Sequence, residues 1–253
     1  MAFDSDAIAA GIEARLRAQG SPERAEGEKR YLKSELEFFG TAVGPIRREV
    51  KSFGKDNPYL THEELIAVVE ALWSAPVFER RLAACFLLEA YPGLVEPSDL
   101  PLLLRLVRES KTWALVDVLA KNVLGELLVR RPDAAAGLDS WADDSDFWVR
   151  RSALLAQLEP LRRGASSARF AAYADAMLDE KEFFIRKAIG WVLRETGKTR
   201  PQEVYGWLAP RTARVSGVTI REAVKYLDPD DRAELLAAYS ERRPAGSMPS
   251  ETG

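Results

Sequence analysis

One pattern returns along this chain at a spacing of about 35 residues, and it limits the possible folds more than any other feature. Phe78-Glu79-Arg80-Arg81-Leu82-Ala83-Ala84, Trp148-Val149-Arg150-Arg151-Ser152-Ala153-Leu154, Phe184-Ile185-Arg186-Lys187-Ala188-Ile189-Gly190 and Thr219-Ile220-Arg221-Glu222-Ala223-Val224 share one layout: an apolar pair or its equivalent, two polar residues, then an apolar run. The second polar position falls at 81, 151, 187 and 222, so the steps are 70, 36 and 35 residues. The long first step places a missing unit near 117, where Leu115-Val116-Asp117-Val118-Leu119 stands. A unit of this length cannot bury its apolar face alone. It must stack on its neighbours, which makes a quasi-one-dimensional array.

The array is built of helices. Ala, Leu, Arg and Glu dominate, apolar residues recur three and four apart, and no long alternating β-branched run occurs. Breakers such as Gly20-Ser21-Pro22, Asn57-Pro58, Pro76, Pro92-Gly93, Pro132, Pro201, Pro210 and Pro229 leave segments of about ten to twenty residues, the usual helix length. The expected fold class is therefore all-α, a right-handed superhelical solenoid of about six HEAT-like two-helix repeats. One domain is expected over residues 1–242, and the polar, breaker-rich residues 243–253 are expected to be a disordered tail.

Composition removes several function classes. The single cysteine, Cys85, lies in an apolar run, which predicts a buried core residue and a chain without internal disulfides, as in a reducing cytoplasm. With one histidine and no clustered ligands, no metal site is expected, and no cofactor. His62 reads as an exposed first-turn residue after the N-cap Thr61. Nucleotide-binding glycine loops and the serine-hydrolase elbow are absent. The start lacks a secretory signal pattern and no apolar run approaches bilayer length, so a cytoplasmic protein without a membrane partner is expected.

In the repeat register, Arg81, Asp117, Arg151, Lys187 and Glu222 form a polar ladder, readable either as a binding groove or as ion pairs between neighbouring helices. Trp113 stands four residues before Asp117, and Trp191 four after Lys187, so a helix sets each indole beside a charged group. Such a pair suits nucleotide contact as well as core packing. Trp73, Trp141, Trp148 and Trp207 read as core or interface. Basic pairs recur at Lys29-Arg30, Arg47-Arg48, Arg80-Arg81, Arg130-Arg131, Arg150-Arg151, Arg162-Arg163 and Arg186-Lys187. Pairs repeated at helix ends can track a phosphate backbone, although the net charge is only -3.

Longer stretches carry a resemblance. Ser21-Pro22-Glu23-Arg24-Ala25-Glu26, Arg30-Tyr31-Leu32-Lys33, Phe38-Phe39-Gly40, Leu72-Trp73-Ser74-Ala75-Pro76, the run from Ser110 to Asp117, and above all the run from Lys181 to Glu195, followed by Arg221-Glu222-Ala223-Val224-Lys225, are similar to AlkD-type DNA alkylation repair proteins, the HEAT-like-repeat DNA glycosylases. The similarity covers roughly residues 20–228.

The resemblance implies hydrolysis of the N-glycosidic bond of cationic purines such as 3-methyladenine and 7-methylguanine in duplex DNA, without flipping the base into a pocket. It implies that Trp113 and Trp191 pack against the deoxyribose, that Asp117 is the catalytic carboxylate, and that Arg151 lies at the same site beside the backbone. Lys33, Arg47, Arg48, Arg81, Lys111, Arg150, Arg186, Lys187 and Arg221 are the expected DNA contacts. The resemblance also implies a bacterial monomer, nucleoid-associated when engaged, with double-stranded DNA carrying alkylated bases as its partner. With no groove lysine identified as nucleophile, a monofunctional enzyme is expected, one that leaves an abasic site. Bulky minor-groove adducts are a further substrate class an open groove could take.

The chain departs from the family form in three places. Thr41-Ala42-Val43-Gly44-Pro45 is one residue longer and lacks a glutamine, Arg186 replaces a glutamine, and Thr112 stands where a further tryptophan can occur. Residues 41–45 are expected to form a loop able to touch DNA. The rival reading is a non-catalytic HEAT-repeat scaffold for DNA or protein. A steep salt dependence of duplex binding separates a DNA groove from a protein-binding scaffold.

Overall fold

A computed structural model of the chain describes residues 3–241. The expected tail at 243–253 lies outside the described residues. Among those residues the structure is helix after helix, with no strand beyond an isolated bridge between Glu37 and Val77. The chain packs as two compact units, Met1–Trp141 and Ala142–Gly253.

The first unit holds α1 (Ser5–Ala18), α2 (Pro22–Leu32), α3 (Val43–Asp56), α4 (His62–Trp73), α5 (Phe78–Ala90), α6 (Leu100–Ser110), α7 (Trp113–Asp117), a π-helix (Val118–Leu124) and α8 (Gly125–Arg130). The short α9 (Asp139–Ala142) spans the boundary. The local signals are those of ordinary helix ends. The hydroxyl of Ser21 caps α2 ahead of Pro22, and Thr61 and Glu64 form a reciprocal capping box on α4. The core of the unit is α5, with Leu82, Ala83, Ala84, Cys85, Leu87 and Leu88 buried, packed on α3, α4 and the π-helix. Cys85 is fully buried as expected, and burial pushes its thiol pKa up.

Two expectations are corrected here. His62 is half-buried, and its Nε2 sits 3.0 and 3.1 Å from the two carboxylate oxygens of the buried Asp99, tying the start of α4 to the turn before α6. Residues 41–45 are a loop only at Thr41 and Ala42: Val43, Gly44 and Pro45 form the first turn of α3, where a proline is tolerated because its nitrogen would have had no helical partner.

The stretch before α3 is fixed by a buried carboxylate. Glu79, 0% exposed, accepts hydrogen bonds from the backbone N–H of Phe39, Gly40 and Thr41 at 3.0, 2.7 and 3.0 Å. Burial raises its pKa, against the lowering by these bonds. Gly40 has a φ of +76°, and a Cβ there would lie 2.1 Å from the Ser21 carbonyl oxygen and 2.6 Å from the Ala25 nitrogen. Only glycine fits that turn.

The second unit holds α10 (Phe147–Leu155), α11 (Leu158–Arg162), α12 (Ala168–Ala176), α13 (Phe183–Gly197), α14 (Pro201–Leu208), α15 (Gly217–Ala223) and α16 (Pro229–Glu241). Its central helix is α13, which buries Ile185, Ala188, Ile189, Gly190, Val192 and Leu193 against α10, α14 and α15. Gly190 sets the approach to α15: a Cβ there would meet the Cβ of Glu222 at 2.9 Å and the Thr219 carbonyl oxygen at 3.0 Å. The Thr219 hydroxyl donates to the Arg186 carbonyl at 3.0 Å across the same contact.

Of the tryptophans assigned to packing, Trp73, Trp141 and Trp148 are buried. Trp207 is half-buried between Phe170, whose ring centre is 6.4 Å away, and the Arg211 guanidinium, 4.7 Å from its own.

Candidate functional site

In the first unit, Trp113 and Asp117 begin and end α7 on one helical face, both half-buried. The backbone winds into a π-helix directly after Asp117. Such π-segments are uncommon and gather at functional sites, because the extra residue per turn re-aims side chains. Thr112, the N-cap of α7, is 1% exposed, and its hydroxyl makes no hydrogen bond in the structure.

A third side chain joins them that sequence reasoning did not single out. Tyr31, at the end of α2, is 73% exposed, yet its ring stands edge-on to that of Trp113, with centroids 6.0 Å apart and planes at 87°. That is the preferred geometry of an aromatic pair, the edge of one ring toward the face of the other. The result is an open site with two aromatic surfaces and, one helical turn along, a carboxylate. The repeat pattern contained no signal for Tyr31, since α2 lies outside the matched registers; only its place in the Arg30-Tyr31-Leu32-Lys33 stretch marked it.

In the second unit, Lys187 and Trp191 share a face of α13, Lys187 exposed and Trp191 half-buried. The Lys187 ammonium lies 5.6 Å from the ring centre of Phe183, itself 50% exposed. Arg151 is buried, only 2% exposed. Its guanidinium donates to the Phe184 carbonyl at 2.6 Å and lies 5.7 Å from that ring. Phe184 in turn packs against Trp148 at 4.8 Å and Phe147 at 6.2 Å. Arg151 thus holds the first turn of α13, the helix that carries Trp191.

The expected DNA contacts divide by what already holds them. Arg47 pairs with Glu89 at 3.2 Å and stacks on Phe86. Arg81 donates to the Glu109 carbonyl at 2.7 Å over the Trp73 ring, and burial lowers its pKa. Arg150 forks onto Glu180 at 2.8 and 2.9 Å and reaches the carbonyls of Asp144 and Ser145. Arg186 donates to the Glu180 carbonyl at 2.6 Å. Arg47 and Arg81 are thus committed to neighbouring helices, and Arg150 and Arg186 to the connecting segments before α10 and α13. The side chains of Lys33, Arg48, Lys111 and Arg221 are exposed and have no hydrogen-bond or ion-pair partner among the described residues.

The polar ladder divides in the same way. Glu222 is an internal partner, bonded to Lys225 and Arg194; these bonds hold its carboxyl below the ordinary carboxylate range, Lys225 contributing most.

Among the described residues no group of three or more His, Cys, Asp or Glu side chains could hold a metal ion, and no helix is long and apolar enough to cross a membrane.

The profile of the family described as "DNA alkylation repair enzyme" matches residues 12–227. A search among curated proteins returns no match. Among solved structures, the chain is similar to a predicted DNA alkylation repair enzyme from Enterococcus faecalis, at 25% identity and a TM-score of 0.73, over 83% of this chain and 98% of that one. It also shares its fold with AlkD2 from Streptococcus mutans, at 16% identity and a TM-score of 0.64, over 89% of this chain and 100% of that one. A match across 12–227 spans both units and every residue of the candidate site: the chain belongs to the DNA alkylation repair enzyme family.

Proposed function

We propose that the protein is a monofunctional DNA glycosylase that hydrolyses the N-glycosidic bond of cationic alkylated purines in duplex DNA. The observation that carries the reading is the grouping of Trp113, Asp117 and Tyr31 in one open site, with a carboxylate one turn from an aromatic surface.

The chemistry asks for little more. An N3- or N7-alkylated purine carries a positive charge, so it leaves without protonation when the C1′–N bond breaks and takes the bonding electron pair with it. The sugar is left with oxocarbenium character. The Asp117 carboxylate stabilises that charge and orients the water whose oxygen bonds to C1′, the water's proton passing to the carboxylate or to solvent. Ring faces of Trp113 and Tyr31 present electron density to the electron-poor sugar. An open pair of rings sets no wall around the base, which suits a lesion that stays in the duplex and allows a bulky substituent.

Trp191 and Arg151 serve the same reaction in this reading, Trp191 by contact with the DNA and Arg151 as a positioning residue for α13. The exposed cations Lys33, Arg48, Lys111, Lys187 and Arg221 contact phosphates. Arg47, Arg81, Arg150 and Arg186 act mainly by holding neighbouring helices and connecting segments in place.

The test is release of free base from a duplex with a single 7-methylguanine. The expected product is an abasic site in an uncut strand, cleaved only after alkali. Strand cleavage by the enzyme alone would overturn the monofunctional assignment, and no release from 7-methylguanine, 3-methyladenine or a bulkier cationic adduct would overturn the activity.

A further inference from the structure

Among the described residues, only two non-glycine residues have a positive φ, and both are lysines: Lys33 at 49° and Lys111 at 50°. Left-handed backbone is unfavourable for a residue with a Cβ, and at a helix end it is normally given to glycine or asparagine. This chain uses glycine for it at Gly40 and Gly164. A lysine in that conformation carries the backbone cost, and its side chain is available to a ligand only where nothing else holds it.

Both lysines meet that condition. Each closes a helix, Lys33 after α2 and Lys111 after α6. Each is exposed, and neither ammonium has a partner among the described residues. Their placement is paired as well. Lys33 follows Tyr31 by two residues, and Lys111 precedes Trp113 by two. The rings of Tyr31 and Trp113 are 6.0 Å apart, so two unpaired charges come from opposite directions along the chain to the same pair of rings. Two residues span at most about 7 Å of chain, which keeps each lysine Cα close to its ring-bearing neighbour. A compact, rotatable ammonium on a flexible stem suits a phosphate oxygen.

We propose that Lys33 and Lys111 form a phosphate clamp, two left-handed lysines that bracket the Tyr31–Trp113 rings and grip the backbone of one DNA strand where it crosses them. This rests on the reading of Tyr31, Trp113 and Asp117 as the lesion site. It adds that two strained backbone positions are kept for the sake of strand positioning.

Glycine is the informative substitution, because it removes the charge while relieving the backbone. Lys33→Gly, Lys111→Gly and the double variant are compared with the unchanged protein by thermal unfolding and by affinity for an undamaged duplex across a salt series. The expected result is an unfolding midpoint unchanged or raised, with the slope of log affinity against log salt reduced by about one for each lysine removed. Arginine at both positions restores the slope. A salt slope equal to that of the unchanged protein in both single variants would overturn the clamp, as would a lowered midpoint with affinity intact, which would make the lysines helix-end residues only. Because the duplex is undamaged, the result is independent of excision: an enzyme that released no base but lost slope in these variants would keep the clamp and lose the glycosylase.

Discussion

The contact of α13 on α15 offers a quantitative test, because two glycines in the same unit should respond to the same change with opposite sign. At Gly190 an added methyl would stand 2.9 Å from the Glu222 Cβ, 3.0 Å from the Thr219 carbonyl oxygen and 3.1 Å from the Thr219 Cα. Real Cβ contacts are longer, and the obstacles are backbone or the root of a side chain, so the helices themselves must part. Overpacking of this kind costs about 1–3 kcal/mol. Alanine returns about 1 kcal/mol through helix propensity. The net effect of Gly190→Ala is therefore a loss of up to about 2 kcal/mol, or up to about 8 °C in Tm for a chain of this size. Gly206, in α14, is exposed and an added methyl would meet nothing within 4 Å. Gly206→Ala should keep only the propensity gain and raise stability by up to about 1 kcal/mol. Thermal unfolding followed by circular dichroism reads both. A rise for both variants would refute the close approach at Gly190, and with it the reason for a glycine beside Trp191.

Other predictions address the rest of the frame. Gly40→Ala must bear a left-handed φ and a clash with the Ser21 carbonyl at 2.1 Å, so it should cost at least about 3 kcal/mol; an unchanged Tm would contradict the turn. Tyr31→Ala should slow base excision while shifting Tm by no more than a few degrees, since the ring is 73% exposed; normal single-turnover excision would remove Tyr31 from the site. Glu222 has a depressed pKa in the fold, so its ion pairs contribute stability that is present above the ordinary carboxylate pKa of 4.5 and lost as pH falls through the lower, folded value. Glu222→Gln should flatten that acid limb of a Tm-against-pH profile, and an identical limb would exclude the pairing.

Much of the fold was legible in the sequence because helix-pair repeats write their period directly. The cap at Thr61 and the buried run around Cys85 depend on local pattern, and the structure shows both. The site was legible in part. Trp113 and Asp117 lie four apart, so any helix sets them on one face.

What the sequence did not show depends on contacts distant along the chain. Tyr31 meets Trp113 across 82 residues. Glu79 stands in the second slot of its repeat's apolar pair, and it is buried there as the acceptor for three backbone N–H groups of the 39–41 turn. The expected DNA contacts looked alike in sequence, whereas the structure commits Arg47, Arg81, Arg150 and Arg186 to internal partners and leaves Lys33, Arg48, Lys111 and Arg221 exposed. A charge pattern alone carries no information about which members a neighbouring helix will use.

The central claim is that the carboxylate at 117 performs the chemistry while the rest of the site binds. It is tested most directly by Asp117→Asn on a duplex with one 7-methylguanine, measured for single-turnover base release and for affinity in parallel. The account predicts release slowed at least about 100-fold, the usual scale for a lost charge-stabilising group, with affinity within a few-fold of the unchanged protein. Release at the unchanged rate would contradict it and take Asp117 out of the mechanism.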